Sequence, residues 1–143
     1  MGNARHRTVV IIWGAQFAAL FFFVLLTRLV RPEEPPGPNP ALLAGLGLAA
    51  LTAFGASFAL KAKLLAQSGA ERSAARAQSA YVLAFALCEA AALFGVMAHF
   101  VTGAPEAAYF FALAALGLLL HFPRRRHFED AAGAAAGVNS TMR

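Results

Sequence analysis

Charge is scarce in this sequence, and negative charge most of all. Asp and Glu number seven in 143 residues, and charged residues of both signs make up only 13%. A soluble globule of this length could not hide the 59% of residues that are hydrophobic, so an integral membrane protein is expected. Cysteine is nearly absent as well. Cys88 stands alone, which excludes an internal disulfide, a CxxC redox pair and a cysteine-built metal site. There is no HExxH, no phosphate-binding loop and no grouping of Ser, His and Asp, so catalysis lacks its usual machinery and no enzyme is expected. His6, His99, His121 and His127 are scattered, and no metal or other cofactor is expected.

What the chain does have is apolar length, punctuated by basic residues. The net charge of +5 does not point to nucleic acid, because Lys and Arg flank the apolar runs. Thr8 to Thr27 is uncharged, and at about 1.5 Å per residue it reaches roughly 30 Å, the thickness of the hydrocarbon core. A cleaved signal peptide is the competing reading. The run is too long for one, and Arg28 and Arg31 follow it instead of an A-x-A-like site. Gly14 and Ala18 form a small-xxx-small pair for helix contact, and Gln16 is the strongly polar group of this run. The stretch RPEEPPGPNP from Arg31 to Pro40 reads as an extended spacer, since proline cannot continue a helix.

The second run, from Ala41, carries Gly45, Ala49 and Ala53 at four-residue intervals, a row suited to a close neighbouring backbone. Lys61 and Lys63 are expected to snorkel from its end, and a polar loop turning at Ser68-Gly69 is expected to follow up to Arg76. The third run ends near Thr102-Gly103, and Pro105 and Glu106 suit the first turn of a fourth. The expected architecture is therefore an all-α integral membrane protein. Its one domain, residues 1–128, has spans at about 8–28, 41–62, 78–101 and 106–122, with residues 129–143 a disordered cytoplasmic tail. Ten of the twelve Lys and Arg fall in the N-terminus, the middle loop and the C-terminal segment, which predicts that both termini are cytoplasmic. Ten of those twelve are Arg, and Ala and Gly are abundant. That coding bias suits a bacterial gene, hence the bacterial cytoplasmic (inner) membrane.

One residue raises a functional question. Glu89 lies near the middle of the third run, about 13 residues or 20 Å beyond Arg76. A carboxylate at a helix centre costs about 2.5–3.5 kcal/mol to insert. Its helical neighbours Val82, Phe85, Ala86, Ala92, Leu93 and Val96 are all apolar. A small-residue stripe, Ala84, Cys88, Ala91, Gly95 and Ala98, runs beside it and suits packing on the second span. Either Glu89 is a protonated packing residue that donates to a neighbouring carbonyl or to Gln16, or it exchanges a proton or cation. Gln16 and His99 are its candidate polar partners, although His99 lies off the Glu89 face.

The hairpin over residues 40–103 resembles the c-type proteolipid of rotary ATPases. The Gly/Ala row from Gly45 to Gly55 is similar to that family's first helix. Ala86-Leu87-Cys88-Glu89-Ala90, followed by Leu93-Phe94-Gly95-Val96, is similar to its carboxylate-bearing second helix. The resemblance implies a Glu89 that takes up and releases a proton, or binds Na⁺, at a subunit interface. The chain departs from the family in its incomplete glycine repeat, its missing Arg-Gln-Pro loop and its two additional spans.

Three functional readings follow. The first is a non-catalytic accessory or structural subunit of a larger membrane complex, whose partners are the lipid bilayer and other membrane subunits or copies of itself. The second is a proteolipid-like subunit coupled to proton or cation movement through Glu89. The third is a small oligomeric transporter or channel.

Overall fold

A computed structural model of the chain describes residues 2–30, 37, 39–71 and 73–129. Four helices follow one another: α1 (Gly2–Leu29), α2 (Pro40–Ala70), α3 (Ala74–Thr102) and α4 (Ala107–Leu120). The first three are long and apolar enough to cross a membrane. α4 is equally apolar but has 14 residues, about 21 Å, against a hydrocarbon core of about 30 Å. Most of the proline-rich spacer and residues 130–143 lie outside the described residues.

The helix ends follow from local chemistry. Asn39 Oδ1 accepts the Leu42 N–H at 3.0 Å, and Pro40 occupies the first helical position, where a missing N–H costs nothing. At the other end of α3, Gly103 adopts φ 63° and its N–H reaches the His99 carbonyl at 2.9 Å, a left-handed cap that glycine takes without steric cost. Pro105 and Glu106 open α4 through tight i→i+3 bonds from Ala108 and Tyr109, as expected of them.

One boundary differs from the expectation. α2 does not end at Lys61–Lys63 but runs on to Ala70, through Ser68-Gly69 and most of the segment read as a polar loop. The residues Lys61 to Gln67 are mostly good helix formers, so leaving the apolar run gives no reason to leave the helix. The reversal instead comes between the end of α2 and the start of α3. There Ser73 N–H bonds the Ser68 carbonyl at 3.0 Å, and Ser73 Oγ caps α3 through the Arg76 N–H.

α3 is the central helix and touches the other three; among the described residues α1 and α2 do not meet. Its buried face includes Ala84, Cys88, Ala91, Gly95 and Ala98, the small-residue stripe read from sequence. The stripe meets α2 at Cys88, whose Sγ lies 4.0 Å from Ser57 Oγ, while its tightest points face α4. A Cβ on Gly95 would sit 2.8 Å from Phe110 Cβ, and one on Gly117 would sit 2.5 Å from Cys88 Sγ. A glycine on each helix, Gly95 opposite Phe110 and Gly117 opposite Cys88, thus sets how closely α3 and α4 approach.

The buried residues of α2, a helix that packs on α3 and α4, include Leu46 and Ala50, one position along from the glycine row, and Ser57, which continues that row. Gly45 is exposed with no atom within 4 Å of an added Cβ, while Ala49 and Ala53 are half-buried. Gly14 and Ala18 lie exposed on α1.

Beyond α4 the chain folds back onto the bundle. Pro123 and Phe128 are fully buried, and Phe128 stacks on Tyr81 (5.7 Å between centroids, 18° between planes) with the His6 ring edge-on at 5.6 Å. Glu129, expected in a disordered tail, belongs to a helical turn and pairs with Arg125 at 2.7 Å. The exit of α4 is therefore tied to the beginnings of α1 and α3.

Candidate functional site

Glu89 sits at the midpoint of α3, half-buried at the border between the packed face and the outer one. Phe85 and Ala92 on its face are buried, whereas Val82, Ala86 and Leu93 are exposed. Among the described residues its carboxyl has no hydrogen bond and no ion pair. The expected bond to Gln16 is not formed. His99 reaches away to the Val30 carbonyl at 3.4 Å. The three polar groups singled out from sequence are not gathered into one site.

A different polar cluster is gathered, one turn inside the bundle. Ser57 and Lys61 lie four residues apart on α2 and so share a face. That face meets His121, which follows the last residue of α4. Ser57 Oγ lies 2.8 Å from His121 Nε2, and Lys61 Nζ lies 3.2 Å from His121 Nδ1. Lysine has only donors, so Nδ1 accepts, Nε2 carries the proton, and its N–H donates to Ser57 Oγ. The Ser57 hydroxyl donates onward to the Phe54 carbonyl at 2.6 Å, and Cys88 Sγ approaches Ser57 Oγ at 4.0 Å. The Lys61 ammonium also sits 4.4 Å over the centre of the Tyr81 ring. A cation–π contact in a desolvated place is worth about 2 kcal/mol, which offsets part of the cost of turning the cation inward. This corrects the expectation that Lys61 snorkels outward.

Tyr81 extends the network towards the bundle end. Its hydroxyl accepts the Arg124 N–H at 3.1 Å and is hydrogen-bonded to His127 Nδ1 at 2.7 Å. Nearby, the Trp13 indole N–H donates to the Leu118 carbonyl at 2.8 Å. That carbonyl belongs to the last turn of α4, where Phe122 N–H has turned to Leu119 instead, so the indole satisfies an acceptor the helix leaves open.

The cluster clamps α2, α3 and the end of α4 together. It does not have the arrangement of a hydrolytic dyad. A nucleophilic serine needs the imidazole to accept its proton, and here Lys61 holds the opposite tautomer, with Ser57 and His121 both buried. Every buried side-chain nitrogen and oxygen among the described residues has a partner. No group of three His, Cys, Asp or Glu among them could hold a metal ion.

Sequence reading missed Ser57, Lys61, Tyr81 and His121 as one unit. The available signal was the i, i+4 pairing of a hydroxyl and a cation on an apolar helix. It lacked a partner, because His121 is 60 residues away from Lys61 and only packing brings it there. No protein-family model, curated protein or solved structure matches the chain.

Proposed function

We propose that the chain is a non-catalytic, multi-pass subunit of a larger assembly in the bacterial cytoplasmic membrane, with Glu89 as the residue its neighbour must satisfy. The observation that carries this reading is the contrast in pairing. Among the described residues every buried side-chain nitrogen and oxygen is bonded, yet the carboxyl at the middle of apolar α3 is half-open and has no partner among them. An unpaired acidic group at that depth is costly, and a donor from an adjoining subunit removes the cost.

In this reading α4 is a fourth, short span and both termini face the cytoplasm. The contacts of His6 with Pro123 and of Arg5 with Gln78 support that arrangement, since they gather the basic residues of the N-terminus, the start of α3 and the Arg124–Arg126 run at one end. The test is mass in mild detergent. The wild type should run well above its own 15.0 kDa and Glu89→Ala should run as the single chain. A monomeric wild type, or an Ala variant of unchanged mass, overturns the reading. Topology is tested separately: a cysteine placed at Asn39 should react with an impermeant reagent added from outside the cell.

The same open carboxyl favours a second reading, a proteolipid-like subunit that exchanges a proton or cation at Glu89. Dicyclohexylcarbodiimide should then modify Glu89, and Glu89→Gln should assemble normally while abolishing coupled flux.

A further inference from the structure

At the end of the bundle away from the Lys61 cluster, the last turns of α1 and α3 and the first turn of α4 enclose a cavity of about 580 Å³. The ionisable groups that line it are Arg28 and His99; no carboxylate among the described residues does so. Arg28 forms no ion pair or hydrogen bond with a described residue. His99 Nε2 has only the 3.4 Å reach to the Val30 carbonyl, longer than a good N–H···O bond, and can turn its N–H to a better acceptor. The rest of the wall is largely apolar, with Val24, Ala108 and Phe111 prominent.

A guanidinium and a weakly engaged imidazole donor, with no carboxylate among the described lining residues, select an anion with oxygen acceptors. The volume decides what carries that anion. It lies in the range of about 300–1,000 Å³ that organic ligands occupy, far more than a bare phosphate fills. If the long helices cross the membrane, the ends of α1 and α3 lie at headgroup depth, where a molecule with an anionic head and an apolar body is present throughout.

We propose that this cavity binds an anionic phospholipid. Arg28 holds the phosphate oxygens, His99 supplies a second N–H, and the acyl chains leave along Val24 and Phe111. The proposal rests on the membrane reading, and alkaline extraction tests that reading without regard to bound lipid.

Native mass spectrometry of the full chain, purified with phosphatidylglycerol or phosphatidylcholine present, tests the proposal itself. The wild type should retain one phosphatidylglycerol in preference to phosphatidylcholine. Arg28→Gln should lose retention by about tenfold or more, the loss expected for one charge-assisted bond. Ala108→Trp, which fills the cavity from an exposed position and keeps the charge, should lose it comparably. Arg125→Gln, at the other end, should retain lipid as the wild type does. Equal retention by wild type, Arg28→Gln and Ala108→Trp overturns the proposal, as does a wild type that holds no lipid. Displacement by millimolar inorganic phosphate assigns the site to a free anion and equally overturns it.

Discussion

Glu89, in the middle of α3, and His121, at the cap of α4, are both ionisable groups in apolar surroundings, yet the fold treats them oppositely. His121 is 1% exposed and bonded at both ring nitrogens, by Lys61 and Ser57. Glu89 is half-buried and bonded by neither of its expected partners. A buried polar group that is fully paired adds little net stability but is costly to orphan, so the His121 cluster reads as a lock. A carboxyl left open at mid-helix is the kind of group whose pairing must come from outside the chain. The lesson is that polarity in an apolar helix becomes a functional clue only when its hydrogen bonds are counted.

Variants can break or sharpen this contrast. The largest effect is expected at Gly117→Leu, which drives a side chain into Cys88 and the Phe54 ring beside the lock. Overpacking of this kind costs about 3 kcal/mol, and thermal unfolding followed by circular dichroism in mild detergent should show an early transition. Next comes Ser57→Ala. It removes the acceptor of the His121 N–H and should destabilise by about 2 kcal/mol in the same measurement, while Cys88→Ala, whose bond to Ser57 is weak, should cost less. Trp13→Phe frees the Leu118 carbonyl and should cost about 1 kcal/mol. Smallest is Glu89→Gln, expected to change the stability of the isolated chain by no more than about 0.5 kcal/mol, since no internal bond is lost. A destabilisation by Glu89→Gln as large as that of Ser57→Ala would erase the distinction between lock and open group.

Several features were legible in the residues themselves. Gly103 announces the end of α3, because a left-handed φ depends on local chemistry, whereas Asn39 and Pro40, read as the end of the spacer, cap and open α2. The small stripe on α3 was readable as a packed face from its spacing alone. Which helix would fill it was not. Gly95 and Gly45 look alike in sequence, but Gly95 is closed over by Phe110 and Gly45 faces open space. The end of α2 was misplaced because hydropathy marks where apolar character stops, whereas helix propensity decides where the helix stops.

By itself, then, the sequence determined that this is a helical chain with runs long and apolar enough for a bilayer, and where α3 ends. Those properties depend on residues within a few positions of one another. Tertiary structure alone decided that Lys61 turns in while Lys63 stays exposed, that Ser57 finds His121, and that Glu89 finds no partner among the described residues. A hydrogen bond needs its partner within about 3 Å, and between residues 60 positions apart only the packing of whole helices sets that distance.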